Sequence, residues 1–246
     1  MPDWLLLAGL SLAAAVVVMT VTAVVSARVG RLSVVDVAWG LALLLVAVVC
    51  AAFAGTGRSW LLVALVAVWA LRLSGHIFTR SRGHGEDPRY VGMSARNVFV
   101  VQGAAVWLVS LPLQAAALSS VEWSWVVWVG VAVWAVGVLF ETVADAQLTA
   151  YKRDPDRSPV LDTGLWSWSR HPNYFGEFGF WVALALFGLA TSPSDWWVVV
   201  GAVAMLALFE GASIPMMEER SLARRPGYQD VIDRVPRFVP RPPRRA

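Results

Sequence analysis

The run Gly164-Leu165-Trp166-Ser167-Trp168-Ser169-Arg170-His171-Pro172-Asn173-Tyr174-Phe175-Gly176-Glu177 decides how this chain reads. Its first half is polar and loop-like, and its second half opens an apolar helix. Pro172 suits a first helical turn, where its missing N–H costs nothing. Arg170, His171 and Asn173 then crowd a helix N-terminus, whose free N–H groups and dipole favour an anion. Asn173 and Glu177 lie four residues apart and share one face of that helix. A base, a helix start and a carboxylate at membrane depth together are a site-like arrangement. The plainer reading is an anchor of Arg, His and Trp flanking a membrane helix.

Outward from this stretch the chain is uniformly apolar. Its 246 residues are 58% hydrophobic and only 15% charged, with a mean hydropathy of +0.61, well beyond what a soluble domain needs. Runs of roughly 20 apolar residues, the length that spans a bilayer as helix, recur throughout. They do not alternate with period two, which argues against a barrel. The expectation is an all-α, polytopic integral membrane protein of seven spans, near Trp4–Ala27, Val34–Ala54, Trp60–Phe78, Val98–Leu118, Trp123–Leu148, Tyr174–Ala190 and Trp196–Met217. The first run lacks a basic flank and is too long for a signal-peptide core, so it reads as a retained helix. Residues 1–246 read as a single transmembrane domain whose Pro/Arg-rich tail, 236–246, is frayed.

The bases orient these spans. Arg28 and Arg31, then Arg80 to Arg96, then Lys152 to Arg170, then Arg220 to Arg245 fall in alternate connections, and the others hold only Arg58. The positive-inside rule then places the N-terminus outside and the C-terminus in the cytosol. The expected location is the cell membrane, with the site facing the cytosol. Cys50 is the only cysteine, which excludes a disulfide framework or a cysteine metal cluster. His76, His84 and His171 are too scattered for a metal motif, so no metal is expected. The net charge of +3 fits membrane orientation and an anionic cofactor, not nucleic acid.

Ionisable residues at membrane depth are costly and mark function. Here they form helical stripes: Trp69, Arg72, His76 and Arg80; Glu141, Asp145 and Lys152; Asn173 and Glu177. Asp36 opens the second span, with Trp39 three residues on, and Glu210 lies in the last. One reading pairs them as buried salt bridges, such as Arg72 with Asp36 or Glu141. The other gathers the stripes around one polar cavity. Arg72, Arg80, Lys152 and Arg170 beside a helix start would cradle phosphates. Asp145 and Glu177 would accept from ribose hydroxyls or an amide. No GxGxxG or GxxxxGK[ST] run is present, so the usual nucleotide folds are excluded.

The run from Gly164 to Glu177 resembles the C-terminal signature of steroid 5-alpha-reductase-like membrane enzymes, closest to their bacterial branch. Asp36-Val37-Ala38-Trp39-Gly40, Trp69-Ala70-Leu71-Arg72-Leu73, Gly85-Glu86-Asp87-Pro88-Arg89-Tyr90 and Arg225-Pro226-Gly227-Tyr228 support the likeness. A shorter Arg-His-Pro-Asn-Tyr core also occurs in isoprenylcysteine and phospholipid methyltransferases, which bind S-adenosylmethionine. The resemblance implies seven helices, NADPH as cofactor, and reduction of a carbon–carbon double bond, here in a lipid-like substrate entering from the bilayer. It places Arg72, Asp145, Lys152, Arg170, Asn173, Glu177 and Tyr228 on cofactor-contact positions. The nearest counterparts of the family's substrate-holding acid and tyrosine are Asp36 and Trp69, with Tyr90 as a further candidate for carbonyl polarisation or proton supply. Indole only donates, and weakly, so Trp69 departs from the steroid pattern. The rivals are an S-adenosylmethionine-dependent methyltransferase and a non-enzymatic protein whose stripes are structural ion pairs.

Overall fold

With no water to serve the backbone in lipid, long apolar runs satisfy their own N–H and C=O groups as helices. The computed structural model describes residues 2–120, 123–191 and 193–242, and every regular element among them is helical. The helices are α1 (Asp3–Val29), α2 (Val34–Ala54), α3 (Gly57–Ser81), α4 (Ala95–Val109), α5 (Leu111–Leu118), α6 (Trp125–Arg153), α7 (Pro172–Leu189), α8 (Val200–Leu208), α9 (Ile214–Arg224) and α10 (Tyr228–Arg234). A 3-10 stretch, Pro193–Val199, precedes α8, and a π-helical turn, Phe209–Ser213, joins α8 to α9.

Six stretches are long and apolar enough to cross a membrane: Asp3–Val29, Val34–Ala54, Gly57–Ser81, Ala95–Leu118, Trp125–Arg153 and Ser194–Arg224. The protein is thus a multi-pass membrane protein by length and composition. The expected span at Tyr174–Ala190 is not among the six. It folds as α7, whose 18 residues open with Asn173, Tyr174, Gly176 and Glu177. The fourth expected span is also interrupted. Ser110 turns its hydroxyl back to the Trp107 carbonyl at 2.7 Å, and Pro112, which has no N–H, opens α5.

The single domain expected from the sequence divides into two compact units, Met1–Val127 with Leu184–Gly201, and Trp128–Ala183 with Ala202–Ala246. In the first, α2 packs against α1, α3, α4 and α5. Gly40 lets α2 approach α3: a Cβ there would lie 3.2 Å from Ala70 Cα. Ser74 ties the crossing by donating to the Val37 carbonyl at 2.7 Å. Trp69 sits wholly buried in this core, with Leu43, Val46 and Val66.

Arg58, the base that breaks the loop alternation, is 1% exposed. Its guanidinium donates to the Ala116 carbonyl near the end of α5. A cation suits the negative end of a helix dipole, so Arg58 is held by protein rather than by a membrane surface. Arg58→Ala leaves that carbonyl without its donor and should lower unfolding stability by about 1–3 kcal/mol, read as a lower Tm of the purified chain in nanodiscs.

In the second unit α6 and α7 cross at glycines. A Cβ on Gly137 would lie 2.7 Å from the Gly176 carbonyl oxygen, and one on Gly179 would lie 2.9 Å from Gly137 Cα. Small residues at such a crossing give close backbone packing, the main attraction between helices in lipid.

Candidate functional site

The second unit gathers its charge around Arg170. Gly164 takes the left-handed conformation, φ 60°, and turns the chain against Gln147, whose Oε1 accepts the Leu165 N–H at 3.0 Å. Trp166 then donates its indole N–H to the Ala144 carbonyl at 3.1 Å, pinning the loop to α6. At the start of α7, Ser169 Oγ accepts the His171 N–H at 3.1 Å, so one N–H expected to hold an anion is already taken.

The C-terminal segment laces onto this loop. The Arg170 N–H donates to the Pro236 carbonyl and the Arg241 N–H to that of Trp168, both at 2.9 Å. The Ser169 hydroxyl donates to the Phe238 carbonyl at 2.8 Å, and the Phe238 ring packs against Phe175 and Phe178. Over 236–241 of the tail, backbone bonds and aromatic packing tie the chain to this loop. Residues 243–246 lie outside the described ones.

An ion-pair network closes the arrangement. Arg170 Nε donates to Glu218 at 2.7 Å, and its Nη1 donates to the carbonyls of Ile232 at 3.0 Å and Val235 at 2.6 Å. His171 Nε2 lies 3.2 Å from the same Glu218 oxygen. Arg237, from the tail, spans Glu218 at 3.5 Å and Glu210 at 3.3 Å. Glu210 stands in the π-helical turn, a backbone irregularity that recurs at functional sites. The sequence pointed to Arg170 as a ligand. In the structure its Nε and Nη1 serve the fold, and its Nη2 has no partner among the described residues.

Beside this network lies a cavity of about 110 Å³ lined by Lys152, Arg170, Arg225, His171, Ser221 and Tyr228, among apolar neighbours. Three bases and two hydroxyls meet here, and the buried His171 Nδ1 has no partner among the described residues. Burial, followed by the negative charge of Glu218, pushes the Tyr228 phenol above its usual range, so it remains a donor. Across Leu161, which lines both spaces, a wider cleft of about 570 Å³ runs between Gln147, Tyr151, Arg157 and Thr163.

The remaining candidates on α6 and α7 lie in the packed face. Asn173 Nδ2 donates to Asp145 at 3.4 Å. Glu177 accepts the Trp181 indole N–H at 3.1 Å, one turn along its own helix. Glu141, Asp145 and Glu177 are 4%, 9% and 9% exposed, so a ligand reaching them displaces side chains. Lys152 and Tyr228 meet as expected, with Arg170 as a partial participant. Arg225, Ser221 and His171 join them, although the sequence reading assigned none of these to the cofactor. The signal was present in Arg225-Pro226-Gly227-Tyr228, where Gly227 at φ 79° turns the chain between Arg225 and Tyr228.

Arg72 and the other candidates belong to the first unit. There the loop after α3 folds back onto the start of α2. The N–H groups of Leu32 and Ser33 donate to Glu86. Burial opposes the Glu86 charge, but these bonds outweigh it and hold the carboxyl below its usual range. The Tyr90 hydroxyl donates to Asp36 at 2.5 Å, and Arg89 donates to the other Asp36 oxygen at 2.7 Å. Burial, and then the Asp36 charge, pushes the Tyr90 phenol up. Asp36 was the expected acid. In the structure it accepts from the Tyr90 hydroxyl and from Arg89. Asp36 is bound to Arg89, not Arg72, so one pairing offered by the structural reading is absent. Trp69 is 0% exposed and packs in the core of the first unit.

These features define a multi-pass helical membrane protein with a basic, hydroxyl-rich cavity beside a strapped loop. Over residues 22–235 the chain matches the family described as a protein of unknown function, DUF1295, and it belongs to that family. It is also similar to a Schizosaccharomyces pombe protein described as "Uncharacterized protein C594.04c", 38% identical over 80 residues, 32% of this chain and 23% of that protein. The chain thus matches less than a quarter of that relative's length. No solved structure matches.

Proposed function

We propose that this protein is an NADPH-dependent membrane reductase that saturates a carbon–carbon double bond conjugated to a carbonyl in a lipid-like substrate. The observation that carries the reading is the cavity where Lys152, Arg170 and Arg225 converge with Ser221 and Tyr228. Cationic side chains and hydroxyls in one small space suit a phosphoryl group. About 110 Å³ admits such a group and not a whole dinucleotide, so the remainder of the cofactor would occupy neighbouring space. S-adenosylmethionine carries no phosphate, and its single carboxylate would match only part of this charge. The likeness of Gly164–Glu177 to reductase signatures supports the same choice.

When bound, the cofactor supplies hydride to the β-carbon. Lys152 and Arg225 neutralise phosphate charge, Arg170 Nη2 and Ser221 orient it, and Tyr228 donates from a phenol that burial keeps protonated. Asp145, Asn173 and Glu177 offer acceptors for ribose or amide once their packing opens. Within the first unit, Asp36 aligns the Tyr90 phenol and Arg89 holds the other Asp36 oxygen, which makes Tyr90 that unit's candidate proton donor. We further propose that α7 crosses the membrane as a seventh span. The alternating bases support an outside N-terminus and a cytosolic site in the cell membrane.

Arg225→Ala and Lys152→Ala should each weaken NADPH binding about tenfold or more, the value of one lost charge-assisted bond. The Tm of Arg225→Ala should stay near wild type, because among the described residues its side chain makes no bond to Glu218. Unchanged NADPH affinity in both variants would remove the basis of the proposal.

A further inference from the structure

The end of the first unit remote from Asp36 carries a second cavity. It lies where the start of α1, the end of α5 and the 3-10 stretch Pro193–Val199 meet, and it measures about 580 Å³. That size is ordinary for a small-molecule site. Its walls include Trp4, Trp107, Trp197 and Leu118, with Gln114 and Asp195 among the polar groups.

The polar groups are fixed before any ligand arrives. Trp107 is held by donating to the Ala8 carbonyl at 3.0 Å. Gln114, 5% exposed, is held by donating to Ser110 Oγ at 2.9 Å. The Thr191 hydroxyl, 2.6 Å from the Gly188 carbonyl, also lies 3.2 Å from an Asp195 carboxylate oxygen. Asp195 meets no base among the described residues, and Arg58 of the same unit donates to the Ala116 carbonyl. The cavity therefore carries negative charge beside three indoles, whose faces attract cations. Its apolar walls include Leu111 and Leu118.

We infer that this cavity binds an amphiphile with an alkylammonium headgroup. The ammonium sits between Asp195 and the indoles, and the chain lies along the leucine wall. Two features select this ligand over a neutral or anionic lipid: a carboxylate with no base beside it among the described residues gives charge complementarity, and the tryptophans add cation–π attraction. The site is separate from the basic cavity, whose charge suits the opposite sign of ligand. It stands whether or not the protein is a reductase.

The test uses the full chain in nanodiscs of uncharged lipid. A bromoalkyl-trimethylammonium is titrated by tryptophan quenching, with the matching bromo-alcohol and bromoalkyl phosphate as comparisons. A diazirine-bearing alkylammonium, crosslinked and mapped by mass spectrometry, locates the site. The ammonium should bind about tenfold more tightly than the alcohol and crosslink to α1, α5 or residues 193–199. Asp195→Asn, which removes the charge and keeps the size of the side chain, should erase the preference. Equal binding of all three heads, a preference that survives Asp195→Asn, or crosslinks confined to other helices would overturn the inference.

Discussion

Replacing Gly176 by leucine should prevent the second unit from folding, and even alanine should cost about 3 kcal/mol. A Cβ at this position would lie 2.5 Å from the Glu141 backbone nitrogen, 2.6 Å from the Gly137 carbonyl oxygen and 2.7 Å from Glu141 Cβ. Two of these atoms are backbone, so no side-chain rotation relieves the clash. The helices must separate, and with them go the contacts that drive association in lipid, where there is no hydrophobic force between helices to compensate. Separation would also uncover Glu141 and Glu177, now 4% and 9% exposed. Gly211, where an added Cβ meets nothing within 4 Å, supplies the control: its alanine variant should express and melt as wild type. Thermal unfolding in nanodiscs distinguishes the two, and a Gly176→Ala protein melting with wild type would show that the α6–α7 crossing is looser than described.

Arg170→Met should lower stability by about 3–5 kcal/mol, the range for breaking a buried ion pair by removing one partner. Its side chain is 8% exposed and that of Glu218 14%. The loss removes three hydrogen bonds, one to Glu218 and two to the carbonyls of Ile232 and Val235. His171 and Arg237 still face Glu218, which places the effect nearer the lower figure. The tail should also loosen, because Arg170 is its side-chain clasp. Limited proteolysis should then cut after Arg234 or Arg237 much faster than in wild type. Arg225→Ala separates the roles: it should weaken cofactor binding while leaving the tail resistant. If Arg170→Met kept wild-type Tm and tail protection, Arg170 would be a ligand and not a clasp.

Much of the fold was legible because lipid allows few solutions. Apolar run lengths marked six of the seven expected spans, each starting within three residues of Asp3, Val34, Gly57, Ala95, Trp125 or Ser194. The break at Ser110 was less visible, since hydropathy continues smoothly through Pro112. The exceptional Arg58 could be counted but not explained, because its partner carbonyl is 58 residues away.

The site was legible in part, for a similar reason. Periodicity places residues on helix faces, so Lys152 and the Asn173–Glu177 pair could be found. It does not report which loop folds back onto which helix. Asp36 meets Arg89 across 53 residues, and Arg170 meets Glu218 across 48, distances that no local pattern records. Glu218 lies in a charged stretch that reads as a solvated flank, although it forms the centre of the network. Gly176 was visible inside the signature, but its role depends on the facing Gly137 and not on its neighbours in sequence.

The most direct measurement is calorimetric titration of the purified wild-type chain in nanodiscs with NADPH and, separately, with S-adenosylmethionine, each at low and high salt. The account predicts saturable heat with NADPH that weakens as salt rises, because Lys152, Arg170 and Arg225 act through charge, and no saturable heat with S-adenosylmethionine. Tight binding of S-adenosylmethionine with none of NADPH would contradict it.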